Sequence, residues 1–171
     1  IEFNGSNYDF VGGRGYIEKD WGHNFPENWI WAQSNHFSTN DLSITASLAT
    51  IPWKNTSFAG FIVGLYYKSN FYRFTTYRNA VTKEIHYDSN KFYWQLKQKD
   101  LMLDLTIEKG HKAGLLYAPD KIDMVPRVHE YLDGNIYLKL YDHKGTILED
   151  QTTSAAVEMI GDVGKLINMA R

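Results

Sequence analysis

Turn signals recur about every ten residues along most of this chain, and that punctuation constrains the fold more than any other feature. They fall at Lys54-Asn55-Thr56, Lys68-Ser69-Asn70, Asp88-Ser89-Asn90, Lys99-Asp100, Lys109-Gly110-His111, Ala118-Pro119-Asp120, Asp133-Gly134-Asn135 and His143-Lys144-Gly145. The intervals are rich in β-branched and aromatic residues and short for helices. Even spacing of this kind predicts antiparallel strands in a sandwich or barrel. Asp133-Gly134 is the strongest tight-hairpin signal among them.

Alternation gives the strands their faces. Leu42, Ile44, Ala46 and Leu48 share one side, opposite Ser43, Thr45 and Ser47. Leu101, Leu103, Leu105 and Ile107 alternate with Met102, Asp104, Thr106 and Glu108; Ile136, Leu138 and Leu140 alternate with Tyr137, Lys139 and Tyr141. A period of two is the mark of a half-buried strand. Phe58 to Tyr67 is apolar on both sides and carries Gly60 and Gly64. It is expected to be buried on both faces, with the glycines allowing a bend or a close approach. Only the tail reads as helix: Asp162 can cap it, and Val163, Leu166, Ile167 and Ala170 follow at helical spacing. Such a helix can plug a barrel end or pack on its flank.

At 171 residues the chain is expected to form one domain with a substantial core. A formal net charge of -2 gives no electrostatic reason to expect a nucleic-acid partner. There is no cysteine, which excludes disulfides and thiolate zinc sites and mildly favours a reducing compartment; the cytoplasm is taken only as the default. No apolar run approaches the roughly 20 residues of a helical span, so no integral membrane segment is expected. The histidines show no ligand spacing, and there is neither a nucleophile elbow nor a phosphate-cradling loop; no metal or cofactor is expected. The chain starts at Ile1, so it is expected to be processed or cut from something longer. Residues 1–13, with Gly12-Gly13, read as a connector from an upstream part, and 14–171 as the domain.

The chemistry concentrates in GYIEKDWGHNFPENWIWAQSNHF, Gly15 to Phe37. With Asn28 to Phe37 as a strand, Trp29, Trp31, Gln33, Asn35 and Phe37 share a face opposite Ile30, Ala32, Ser34 and His36. Inside a barrel the first set would line a cavity with aromatic walls and a few placed amides. The same residues also fit a plain core corner, with the amides satisfied by backbone. If Tyr16 to Trp21 is extended, Glu18 and Asp20 lie about 7 Å apart on one side. Carboxylates that close raise each other's proton affinity, and burial adds to it, making a proton donor near neutral pH. A solvated pair countered by Arg14 and Lys19 is the alternative. Gly22, His23, Asn24 and Phe25-Pro26 read as an irregular loop suited to a rim or lid.

This stretch resembles the signature of the tocopherol cyclase-like family. An acidic residue, a Trp-Gly pair, a Phe-Pro pair, Trp-x-Trp and Gln-x-Asn follow in order at Glu18, Trp21, Gly22, Phe25, Pro26, Trp29, Trp31, Gln33 and Asn35. LLYAP and AAVEMIGD are fainter echoes, the second placing Glu158 in a strand. A looser similarity reaches the carotenoid 1,2-hydratase group. The resemblance implies an all-β, antiparallel lipocalin-like β-barrel, the C-terminal one of two, whose N-terminal partner barrel is missing here. It implies protonation of a prenyl alkene, with the tertiary cation captured by a phenol oxygen, or by water in a hydratase. Glu18 or Asp20 would be the acid and Trp21, Trp29 and Trp31 the cation-stabilising wall. Gln33 and Asn35 would orient the head group, with Glu158 among the substrate-binding residues. Non-catalytic binding of an apolar ligand, and a purely structural half of a two-barrel protein, remain the alternatives.

Overall fold

The computed structural model describes residues 1–21, 25–120 and 122–171. Among these, a small hairpin of β1 (Glu2–Phe3) and β2 (Ser6–Asn7) stands apart from the main sheet. The sheet's strands are β3 (Trp29–Ser34), β4 (Leu42–Trp53), β5 (Thr56–Tyr67), β6 (Asn70–Thr75), β7 (Val81–Asp88), β8 (Lys91–Gln98), β9 (Leu101–Glu108), β10 (Ala113–Asp120), β11 (Asp123–Asp142) and β12 (Gly145–Ile160). One helix follows, α1 (Val163–Ala170). The strands hydrogen-bond in the order β6-β5-β4-β3-β12-β11-β9-β8-β7, with β10 added to the first half of β11. Every pairing is antiparallel. No helix of the described residues is long and apolar enough to cross a membrane.

The expected alternation is present. Leu42, Ile44, Ala46 and Leu48 are buried, as are Leu103, Leu105, Ile107, Ile136, Leu138 and Leu140, all in one continuous apolar core. The sheet curls around that core. Phe61 of β5 meets Trp94 of β8 edge to face at 5.1 Å between ring centroids, although five strands separate them along the ladder order. The ladder order nevertheless ends at β6 and β7, and among the described residues no pairing joins these two strands. A 3-10 turn, Thr76–Arg78, links them along the chain.

The helix behaves as its spacing foretold. The Asp162 carboxylate accepts from the Lys165 backbone N–H at 2.8 Å, satisfying a free donor of the first turn. Val163, Leu166 and Ile167 enter the main core, against β3, β5 and β7. Asn28 fastens this end to the start of β3: its side-chain oxygen takes the Asp162 N–H at 2.6 Å and its amide donates to Thr50 at 3.3 Å.

Two expectations require correction. The first concerns Phe58 to Tyr67, which is buried on one face only. Phe61, Val63 and Leu65 face the core, whereas Phe58 is 40% and Ile62 51% exposed on the outer side of β5. Its glycines do allow close approach: a Cβ on Gly60 would lie 2.6 Å from Ile51 Cγ1, and one on Gly64 2.8 Å from Phe71 Cζ.

The second concerns Asp133-Gly134, which lies inside the twenty-residue strand β11. The register shifts on both sides of Gly134, the signature of bulging, and there β11 leaves β9 and takes up β10. The glycine is needed for space: a Cβ would meet Val157 Cγ2 at 2.5 Å and the Glu108 carbonyl at 3.0 Å. Asp133 accepts the His111 N–H at 3.0 Å, tying the bulge to the β9–β10 connection. Gly134→Ala should therefore lower unfolding free energy by about 1–3 kcal/mol through overpacking. Urea denaturation checks this: an unchanged midpoint would show that the space beside Val157 and Glu108 admits a methyl group without overpacking.

Candidate functional site

β3 is short, and its two faces do different work. Ile30 and Ala32 belong to the main core. Trp29, Trp31 and Gln33 therefore point to the opposite, outer side of the sheet. Trp29 is only 6% exposed, because a second and smaller cluster covers it: Ala49 of β4, Ala118 of β10, Val128 of β11 and Ile160 of β12, with Phe25, Trp31 and Ile51 at its margin. The expectation that these side chains line a barrel interior is thus corrected. Ile30 and Ala32 take the inner face, and the indoles sit beneath an outer roof made by the β10–β11 hairpin. β3 ends at Ser34, so the alternation lapses and Phe37 packs on the main core.

The ladders align this outer face in rungs. Glu130, Glu158, Trp31 and Ser47 form one, across β11, β12, β3 and β4. Ile160, Trp29 and Ala49 form the next on one side, and Ala156, Gln33 and Thr45 the next on the other. Residues directly opposite in an antiparallel ladder project to the same side. Glu158 and Trp29 are diagonal neighbours, and the indole Nε1–H of Trp29 donates to Glu158 Oε2 at 2.5 Å. The Arg127 guanidinium lies 5.7 Å from the centre of the Trp29 ring and donates to the carbonyls of Pro119, at 3.4 Å, and Pro26, at 3.5 Å. Phe25 meets Trp29 edge to face at 6.1 Å.

Residues 14–21 form no strand, yet they lie against this face. Asn35 donates to the Gly15 carbonyl at 3.0 Å, and the Tyr16 hydroxyl is 2.8 Å from Thr45 Oγ1. The Tyr16 ring is 6.4 Å from that of Trp31, and its hydroxyl donates to Glu18. Glu18 is surface-exposed along its length, but its carboxyl end is turned toward Trp31 and Asp20. Burial of that end, with the Asp20 charge adding to it, raises its proton affinity; the Tyr16 bond works the other way. Burial and the bond to Glu18 push the Tyr16 phenol up to about 12. The Trp31 indole N–H is near enough to favour the Glu18 charge, but it is buried and completes no hydrogen bond among the described residues.

Glu158 is the half-buried carboxyl at the centre of this arrangement. Burial raises its proton affinity most; the charges of Glu130, Glu18 and Asp20 add to the effect, and the Trp29 N–H opposes it. Burial also raises Glu130. The site thus gathers Glu18, Asp20, Trp29, Trp31, Gln33 and Glu158 from the residues singled out in the sequence. The Asn35 amide is engaged by backbone. Trp21 is 83% exposed, with the Lys19 ammonium 5.5 Å from its ring, and is no part of the indole cluster. Gly22, His23 and Asn24, the proposed rim, lie outside the described residues. Sequence reading missed Glu130, Arg127 and the Tyr16 contacts. Val128 and Glu130 do alternate with Arg127 and His129, but only the hairpin's fold-back shows which face covers Trp29.

These features define an antiparallel sheet protein with a carboxyl-and-indole site on its outer face. The chain belongs to the tocopherol cyclase-like family, whose model matches residues 1–161. It is 26% identical over 173 residues to a probable chloroplastic tocopherol cyclase of Oryza sativa subsp. japonica, covering 94% of this chain and 36% of that protein. A chloroplastic tocopherol cyclase of Zea mays is 25% identical with the same coverage. The chain therefore spans little more than a third of the curated relatives it matches. No solved structure matches it.

Linkage gives the site a stability signature. Glu158 binds its proton more tightly in the folded chain than in the unfolded one. Its favourable contribution is full below the ordinary glutamate value and is lost as pH rises from there through the raised folded value. Glu158→Gln keeps an acceptor for the Trp29 N–H and removes the charge. Its urea midpoint should equal or exceed that of the parent chain at mildly alkaline pH and vary less with pH; a lower midpoint there would refute buried-charge destabilisation.

Proposed function

We propose that this domain takes part in acid-catalysed cyclisation of a prenylated lipophilic substrate, a reaction of the intramolecular lyase or isomerase type. The observation that carries the reading is Glu158, a half-buried carboxyl inclined to keep its proton and held by the indole N–H of Trp29, on the rung of Trp31. As donor, the Glu158 acid protonates the less substituted carbon of a trisubstituted alkene. The tertiary cation faces the Trp29 and Trp31 rings, whose π-clouds favour positive charge. A phenol oxygen of the same substrate then bonds to the cationic carbon, and its proton leaves to the carboxylate. A ring closes and the acid is regenerated; capture by water would make the reaction a hydration. Exclusion of stray water by the β10–β11 roof protects the cation.

Glu18 serves in this reading as the second carboxyl, and Asp20 as a charge that keeps its neighbours protonated. The N–H of Trp31, without a partner among the described residues, suits a substrate oxygen, because a buried donor without a partner costs about 1–3 kcal/mol. Gln33, 8% exposed on the same face, completes the polar end. The rice and maize relatives are named as tocopherol cyclases, which supports this chemistry for those longer proteins. We extend the proposal to the architecture. The curled sheet is read as a lipocalin-like barrel, residues 1–13 as a connector, and the missing length as including an N-terminal barrel. The cytoplasm remains only the default compartment.

A second reading is non-catalytic binding of an apolar ligand. It is favoured by a groove of about 420 Å³ beside the indoles, lined by Ala49, Ile51, Phe58, Gly60, Ile62 and Tyr77 among others. Its Ala49 and Ile51 also belong to the Trp29 cluster.

A prenylquinol should quench or shift tryptophan fluorescence in both readings. Under the catalytic one, Glu158→Gln should cut ring closure by about 10²-fold or more, in the range of general acid catalysis, and leave that optical response intact. Glu18→Gln and Asp20→Asn should each cost less. Undiminished turnover in Glu158→Gln would remove it as the acid, and saturable binding without turnover by the parent chain would favour the binder.

A further inference from the structure

We propose that Glu130 is a positioning residue of this site: it shares a single proton with Glu158, its cross-strand neighbour, and so holds that carboxyl protonated under the indoles. The inference rests on the reading of Glu158 as the proton donor.

The geometry is that of one rung. Glu130 of β11 and Glu158 of β12 are direct partners in the ladder, and Trp31 is the next residue along it. Direct partners hold their Cβ atoms about 4.5–5.5 Å apart on the same side of the sheet, and like charges so placed are destabilising. The Val128 parity confirms the side: Val128, two residues from Glu130, packs in the Trp29 cluster. The repulsion between two partly buried glutamates on such a rung is relieved by a cation between them or by a proton. The ion pairs of the described residues are elsewhere, at Glu84–His86, Lys91–Glu108 and Lys139–Glu149. Arg127, the nearest cation on β11, is committed to the Trp29 ring and two proline carbonyls.

The other charged groups facing Glu158 come from the N-terminal segment and share its sign. Glu18 and Asp20 both act on it, more weakly than Glu130. Their placement depends on an irregular segment, whereas Glu130 is fixed by backbone hydrogen bonds to β12. Two carboxyls so coupled lose their protons in two macroscopic steps that belong to the pair. In this arrangement the pair keeps one proton to a pH above the ordinary glutamate value, and the Trp29 N–H, bonded to Glu158, reports on where it resides.

The test uses the whole 15N-labelled chain. The Trp29 indole N–H resonance, assigned by its loss in Trp29→Phe, is followed through a pH titration. It should shift with a midpoint above the ordinary glutamate value, and Glu158→Gln should abolish the shift. Glu130→Gln should move the midpoint down toward the ordinary value, and Glu130→Asp should restore most of the difference. A merely structural Glu130 would leave the midpoint where it was, and that result overturns the proposal. Should Glu130→Gln fail to fold, 13C-carboxyl titration of the parent chain decides: two separated steps for Glu130 and Glu158 support the shared proton, and two ordinary independent ones refute it. Loss of turnover in no variant, with the midpoint still moved by Glu130→Gln, would remove the catalytic reading and leave the pairing standing.

Discussion

One apolar core, shared by strands from opposite ends of a single sheet, is the constraint on which everything else depends. Phe61 and Trp94 meet across it although they are far apart in the ladder, and α1 adds Val163, Leu166 and Ile167 to it. Large apolar side chains there contribute about 1.5–3 kcal/mol each on full burial. With the inner face filled by aliphatic and aromatic side chains, any strand bearing polar chemistry must present it outward. That is the position of β3, which commits Ile30 and Ala32 inward and leaves its indoles and amide on the other side.

An outward indole pair needs cover, and the cover defines the chemistry. The bulge at Gly134 releases β11 from β9 and lets it carry β10 away as a hairpin, whose Ala118 and Val128 close over Trp29. The same fold-back brings Glu130 and Arg127 to the rim. Residues 14–21 approach from the other side with Tyr16, Glu18 and Asp20. The carboxyls of Glu18, Glu130 and Glu158 are thus partly withdrawn from water, which favours their protonated form. The arrangement costs folding energy at neutral pH, a cost that proteins commonly accept at functional sites.

Much of the sheet was legible in the sequence because alternation is local. The faces of β4, β9 and the second half of β11 follow from side chains two residues apart, and Asp162 with its helical spacing sufficed for α1. Turn positions were legible too, several of them with Lys54, Lys68, Ser69, Ser89 and Lys99 in the left-handed region. The misreadings share one cause. Asp133-Gly134 has the composition of a turn, but its glycine answers to Val157 and Glu108, residues distant in sequence. Phe58, Ile62 and Tyr66 are apolar without being covered, since what lies opposite a strand is not encoded in its own pattern.

The sequence by itself determined an antiparallel sheet with a terminal helix, the family, and the stretch whose Glu18, Trp29 and Trp31 the structure brings together with Glu158. It determined that Trp29, Trp31 and Gln33 share a face, because successive side chains of a strand must point to opposite sides. Only the tertiary structure decided which side of the sheet that face is, and that Glu130 stands opposite Glu158. Both follow from how a sheet curls and in what register its strands pair, and these depend on the packing of all ten strands against one another.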